Sequence, residues 1–151
     1  MKAVKGRMLF GGIHIGDRKS LASGKPTEVL PEPSKVCISV HQSLGRPAAV
    51  CVEKGQKVKE GQLIAKADGA ISSNVFASVA GEVTDIVKMT TAAGVEETFI
   101  VISSDGSGEK DYLAPLTNPS AKEIIKRIGD AGIVGMGGAG FPAAGKDAPK
   151  S

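Results

Sequence analysis

The sequence has no tryptophan, one tyrosine and four phenylalanines among 151 residues. A core cannot rest on large rings here. It has to be assembled from Val, Ile, Leu and Ala, and a hydrophobic content of 41% leaves enough of them for a packed interior. Cysteine is nearly absent. Cys37 and Cys51 do not stand at CxxC spacing, so the chain offers no iron–sulfur ligand set, and nothing requires the one disulfide they could form. Their expected state is that of two half-buried thiols in a reducing compartment. The two histidines, His14 and His41, are far apart and show no metal-ligand spacing, so they read as structural or surface residues and no metal site is expected. No apolar run approaches the ~20 residues needed to cross a bilayer, and residues 1–10 lack the apolar stretch of a signal peptide. A soluble chain is expected, with any membrane association supplied by a partner. Charge of one sign is missing too. The 19 basic and 16 acidic residues leave a net charge of +3, and they alternate, as in Glu53-Lys54 and Lys59-Glu60. Without a basic tract, nucleic-acid binding is not expected.

Glycine is abundant, at 20 residues, and its placement divides the chain. Residues 1–34 are interrupted by Gly6, Gly11, Gly12, Gly16 and Gly24 and by Pro26, Pro31 and Pro33, which predicts an extended lead-in. Residues 35–104 carry short β-branched runs between turn signals, at 35–40, 48–52, 62–67, 74–77, 81–89 and 98–102. Val36, Ile38 and Val40 alternate with Cys37 and Ser39, the period of a strand with two unlike faces. This spacing predicts a mainly β domain, a small sandwich or barrel with tight turns. Residues 105–119 read as a linker, with Asp105-Gly106-Ser107-Gly108, Pro115 and Pro119 limiting regular structure. Residues 120–129 read as a short helix. Ser120 and Glu123 form a capping box, Ile124, Ile125 and Ile128 lie on one face, and Gly129 is placed to end it. The densest glycine cluster follows, from Gly132 to Gly145.

Two segments of the β region carry a resemblance. Val52 to Ile64 has the form V-x-x-G-x-x-V-x-x-G-x-x-I, with Gly55 and Gly61 turning the chain and apolar residues between them. Ala77, Gly81 and Val83 form a second turn, A-x-x-x-G-x-V. Together they resemble the barrel-sandwich hybrid fold of biotinyl and lipoyl domains. Those carriers present a modifiable lysine at a hairpin tip. The matching stretch here, 68–74, has no lysine, and Lys66 stands in the strand run before it. A structural or docking role is therefore expected of this domain, not a carrier role.

Three further segments narrow the resemblance. Phe10-Gly11-Gly12-Ile13-His14 is similar to the opening of the RnfC family, a component of Rnf-type electron-transport complexes. His41-Gln42-Ser43-Leu44-Gly45-Arg46-Pro47-Ala48 resembles a Gln-His-x-Gly-x-Pro-Ala segment of that family, with His and Gln exchanged. Ile133-Val134-Gly135-Met136-Gly137-Gly138-Ala139-Gly140-Phe141-Pro142 resembles the flavin loop that the family shares with the NADH-binding flavoprotein of respiratory NADH dehydrogenase. The chain departs from the family at Ile15, where proline is usual, and at Ala143, where threonine is frequent. The second departure removes a hydroxyl contact and leaves the backbone loop intact.

The glycine loop also matches two other patterns. Gly135 to Gly140 satisfies G-x-G-x-x-G, but a capped helix precedes it where a dinucleotide fingerprint needs a strand. Gly140 to Lys146 satisfies most of a P-loop, but Asp147 follows where a hydroxyl should hold magnesium. Small successive residues do allow several backbone N–H groups to point into one concave space, where they can hold a phosphate.

The resemblance implies a flavin site at Gly135, Gly137, Gly138, Gly140 and Lys146, the lysine adding positive charge near the phosphate. Residues 120–151 would then open an α/β flavin/NADH-binding domain. The full-length protein would bind FMN and NADH and hold 4Fe-4S clusters on cysteines beyond residue 151. Its partners would be the other subunits of a membrane Rnf-type complex, with NAD(H) and ferredoxin as redox partners. It would lie peripherally on the cytoplasmic side of the bacterial cell membrane and serve an ion-translocating ferredoxin:NAD oxidoreductase. The fragment itself is expected to bind no cofactor, to catalyse nothing alone and to keep residues 130–151 mobile. The alternatives are a soluble relative of the cobalamin reductase or proline reductase type, or a non-catalytic β docking module.

Overall fold

The alternation of Val36, Ile38 and Val40 sets the first strand, and its inward residues meet the rest of the β region. In a computed structural model that describes residues 19–147, the strands are β1 (Lys35–Ser39), β2 (Ala49–Val50), β3 (Lys57–Val58), β4 (Leu63–Lys66), β5 (Val75–Phe76), β6 (Gly81–Thr90) and β7 (Glu96–Ser104). They form two antiparallel sheets, ordered β1-β7-β6-β3 and β2-β4-β5. The chain divides into two compact units, at Pro31 and Glu32. The described part of the first holds a 3₁₀ turn, Lys19–Leu21, and no strand. The motif at residues 10–14, with His14, and Ile15 lie outside the described residues.

The core is aliphatic, as the shortage of rings requires. Ile64, Val83, Ile100 and Ile102 are fully buried, each at 0% exposure. Ile38, Val40, Val52, Val58 and Val75 complete the same cluster. Val83 faces Ile102 and Ile86 faces Ile100 across β6 and β7. Strict alternation could not point both Val83 and Ile86 inward, because they are three residues apart. A β-bulge between Val83 and Asp85 supplies the extra residue. Cys37 and Cys51 are free thiols as read, but their expected half-burial needs correction, since both are exposed. Cys37 sits on the outward face of β1 for the same alternation that buries Ile38. Partial burial pushes the Cys51 thiol up, the effect being opposed by its backbone hydrogen bond and by Lys66.

The helix forms where the capping box places it. In α1 (Ala121–Asp130) the Ser120 hydroxyl accepts from the Glu123 amide, and the Glu123 carboxylate accepts from the Ser120 amide at 2.8 Å. Its end differs from the expectation. The helix runs through Gly129 and is capped at Ala131, and the residue in the left-handed region is Gly132, at φ +66°. The Gly132 amide donates to Gly129 O at 3.0 Å and the Ile133 amide to Ile128 O at 3.3 Å, the paired bonds of a Schellman stop. Gly129 has a different use: a Cβ there would come within 3.2 Å of Ala144 Cβ, so glycine lets α1 approach α2 (Ala144–Asp147).

Residues 109–112 of the expected linker are docked on the β domain. The Glu60 amide donates to Glu109 O at 2.9 Å and the Asp111 amide to Glu60 O at 2.8 Å. The Tyr112 ring lies where a side chain at residue 61 would be: a Cβ on Gly61 would stand 2.3 Å from it. Its hydroxyl donates to the Glu60 carboxylate, which raises the Tyr112 pKa.

Candidate functional site

The glycine segment after α1 is a closed loop. Its two arms pair through a bridge between Val134 and Pro142. The Gly135 amide donates to Phe141 O at 2.9 Å, and the Ala143 amide donates to Ile133 O at 2.8 Å. Residues 136–139 make the turn at the tip. Residues 130–143 of the tail expected to be mobile are paired in this way and make three attachments to the β domain. The Leu44 amide donates to Gly140 O at 2.9 Å. The Asn74 side-chain amide donates to Asp130 O at 2.9 Å. Gly132 packs on the Asn74 carbonyl, where a Cβ would meet the oxygen at 2.3 Å.

The loop brings Gly135, Gly137, Gly138 and Gly140 together. Lys146 lies apart from the tip along the chain, in α2. The four glycines are not equivalent. Gly140 is held at φ +69°, which favours glycine on backbone grounds. Gly137 and Gly138 are not among the glycines at positive φ, and a Cβ on either would meet nothing within 4 Å. Neither the backbone conformation nor internal packing calls for glycine at these two positions. Around them, the N–H groups of Gly137, Ala139 and Gly140 find no acceptor among the described residues. Met136 beside them is 93% exposed. The tip therefore presents free N–H groups and an open backbone surface, which suits close approach by a flat or anionic group.

A cavity of about 520 Å³ separates Gly138, Ala139 and Gly140 from residues 41–45 and Glu97. His41 braces its β-domain wall. Nδ1 stands 3.3 Å from Glu97 Oε1 and Nε2 stands 3.1 Å from Gly45 O, while Ser39 Oγ donates to Glu97 Oε2 at 2.9 Å. This agrees with the structural role expected of His41. A second groove, of about 530 Å³, runs between Phe76, Tyr112, Leu113 and Ala131. Among the described residues no cluster of His, Cys, Asp or Glu is arranged to hold a metal. No described helix is long and apolar enough to cross a membrane.

Leu44, Ile71 and Asn74 belong to the site, and the sequence patterns do not single them out. Leu44 acts through its backbone amide and Ile71 through its carbonyl, which accepts from the Arg46 amide at 2.9 Å. Residue type carries no signal for such contacts. Asn74 had one available signal: an amide side chain at a hairpin tip can bond two backbone groups at once.

Comparison with known proteins agrees with the fold. The family described as RnfC Barrel sandwich hybrid domain matches residues 8–107. The chain is 43% identical over 143 residues to the C subunit of the proton-translocating ferredoxin:NAD(+) oxidoreductase complex of Clostridium ljungdahlii, a match covering 92% of this chain and 31% of that protein. It is 37% identical over 141 residues to the C subunit of the ion-translocating oxidoreductase complex of Serratia proteamaculans, covering 90% of this chain and 20% of that one. The protein of the same description from Rhodobacter capsulatus is 36% identical over 139 residues, covering 89% and 27%. The chain thus spans between a fifth and a third of the length of these relatives. It belongs to the RnfC family.

Proposed function

We propose that this member of the RnfC family is the front portion of the electron-entry subunit of a membrane ion-translocating ferredoxin:NAD oxidoreductase complex. In this reading the glycine loop is one wall of an FMN site whose remaining walls come from sequence beyond residue 151. Iron–sulfur clusters sit on cysteines farther along, and NADH and ferredoxin are the redox partners. The protein lies peripherally on the cytoplasmic face and is held by other subunits of the complex. A flavin in such a site supplies the exchange between two-electron hydride transfer and one-electron transfer.

One observation carries the flavin reading: Gly137 and Gly138 are glycines with no internal need to be. Their backbone surface is open beside free N–H groups, on a loop that the β domain holds in place. Those N–H groups would hold phosphate oxygens. Gly137 and Gly138 would let a ring or phosphate approach the backbone, and Lys146 would contribute charge. The β domain would set where the loop stands. Because the loop is already anchored, the ordering entropy to be overcome on binding, ~1–2 kcal/mol per residue for a free segment, is reduced. What this chain lacks in the proposal is the rest of the enclosure.

Flavin fluorescence titration tests this. Residues 1–151 are expected to bind neither FMN nor NADH with useful affinity, whereas the polypeptide at the length of its relatives binds FMN. Tight FMN binding by residues 1–151 would place the site within this chain and contradict the proposal.

A further inference from the structure

In biotinyl and lipoyl domains the hairpin tip is the exposed working end. The equivalent stretch here, 68–74, keeps Gly69, Ala70 and Ile71 exposed but is bonded through its backbone and through Asn74 to other parts of the chain. The Ile71 carbonyl accepts from the Arg46 amide, and Gly45 lies so close that a Cβ on it would be 2.2 Å from that oxygen. At the far end of the stretch, Asn74 uses both ends of its side chain. Oδ1 accepts from the Ala67 amide at 2.8 Å, and Nδ2 donates to Asp130 O at 2.9 Å. Its main-chain carbonyl forms the floor under Gly132. The residues on either side of Gly132 are the last turn of α1 and the first arm of the glycine loop.

We propose that the hairpin tip is a clamp, and that Asn74 is the positioning residue that fixes the glycine loop on the β domain. Three contacts argue for it together. Asn74 holds the start of the loop through Asp130 and Gly132. Leu44 holds its far side through Gly140. Ile71 ties the segment carrying Leu44 back to the tip. The loop is thereby gripped at both ends by two turns of the β domain, and a phosphate-holding loop gains affinity when its N–H groups are set in advance. The clamp deepens the flavin reading but does not require it, since the contacts exist without ligand.

Asn74→Asp separates the two jobs of the side chain. The carboxylate still accepts from the Ala67 amide, so the tip keeps its own bond, but it cannot donate to Asp130 O. In amide hydrogen exchange on residues 1–151, this variant should speed exchange at Gly135, Ala143 and Leu44 by about tenfold, the effect of one lost hydrogen bond. Ala67, Val83 and Ile100 should keep their protection. Asn74→Ala should release Ala67 as well. Unchanged exchange at Gly135, Ala143 and Leu44 in Asn74→Asp overturns the clamp. So does an equal loss of protection at Val83 and Ile100, because Asn74 would then support only the β domain. In the longer polypeptide, Asn74→Asp should weaken FMN binding by about tenfold. If the loop amides loosen and FMN affinity holds, the clamp stands and the flavin assignment of the loop fails.

Discussion

The backbone amide of Leu44 donates to the carbonyl of Gly140 across 2.9 Å. This bond joins the turn after β1 to the far side of a loop nearly a hundred residues later. It makes the glycine loop an attachment of the β domain. Pairing of Gly135 with Phe141 and of Ile133 with Ala143 closes the loop on itself.

The exchange pattern of the loop follows from these bonds. Amides of Leu44, Gly135 and Ala143 should exchange more slowly than those of Gly137, Ala139 and Gly140, which have no acceptor among the described residues. Leu44→Pro removes the donor and should speed exchange at Gly135 and Ala143. Uniformly fast exchange from residue 133 to residue 143 would contradict the anchored loop.

Much of the β domain could be read from the sequence because its signals are local. The period-two alternation at Val36, Ile38 and Val40 and the Gly55 and Gly61 turns set strand faces and connections directly. The Ser120–Glu123 capping box likewise marked the N-terminal cap of α1, whose first residue is Ala121 where the reading began at 120. The helix end was misplaced because two glycines competed for one role. Gly129 lies in α1, where a Cβ would press on Ala144 of α2 at 3.2 Å, a contact between distant residues that the local pattern does not contain. The bulge after Val83 was hidden for a related reason: it answers the register with β7, not the β6 sequence. The linker reading of 105–119 missed the docking of Tyr112, since nothing local shows that Gly61 leaves room for its ring. At the site, the glycines were legible by type. The groups that hold them, such as the Leu44 amide, were not, because every residue but proline carries the same backbone donor.

Core substitutions should separate clearly from surface ones. Ile64→Ala and Ile100→Ala each leave a cavity in a fully buried position and should cost about 2–5 kcal/mol in unfolding free energy. Ile124 is 45% exposed on α1, and Ile124→Ala should cost well under ~1 kcal/mol. Chemical denaturation of the three variants measures this. Equal losses at Ile100 and Ile124 would mean the core lies elsewhere.

The α1 cap should respond to acid. Hydrogen bonds from the Ser120 hydroxyl and amide hold the Glu123 carboxyl below the usual carboxylate range. A lowered folded-state pKa means the cap's contribution is complete above the ordinary carboxylate range and is lost as pH falls through the lowered value. An NMR titration should show the Ser120 amide shift moving with Glu123, and Glu123→Gln should remove that step. A Ser120 shift that stays flat through acid would contradict the capping box.

The tip should carry no covalent cofactor. Residues 68–74 contain no lysine, and Lys66 stands on β4, paired with Ala49 of β2. Protein made in a host with active biotin and lipoyl ligases should show only the unmodified mass. A biotinyl or lipoyl increment on Lys66 would refute this reading of the tip.

The central claim, that the glycine loop cradles a flavin, is tested most directly by Gly137→Val in the polypeptide at the length of its relatives. A Cβ at residue 137 meets nothing within 4 Å in the free loop, so the variant should keep the parent's thermal midpoint. Gly140→Val, at φ +69°, would not serve, because it strains the backbone itself. With the fold intact, the added methyls occupy the space the ligand needs. FMN affinity measured by flavin fluorescence should fall by at least about tenfold, the scale of one lost charge-assisted contact. Lys146→Ala should weaken binding less, by removing a single charge. An unchanged FMN affinity in Gly137→Val would contradict the account and place the flavin away from this loop.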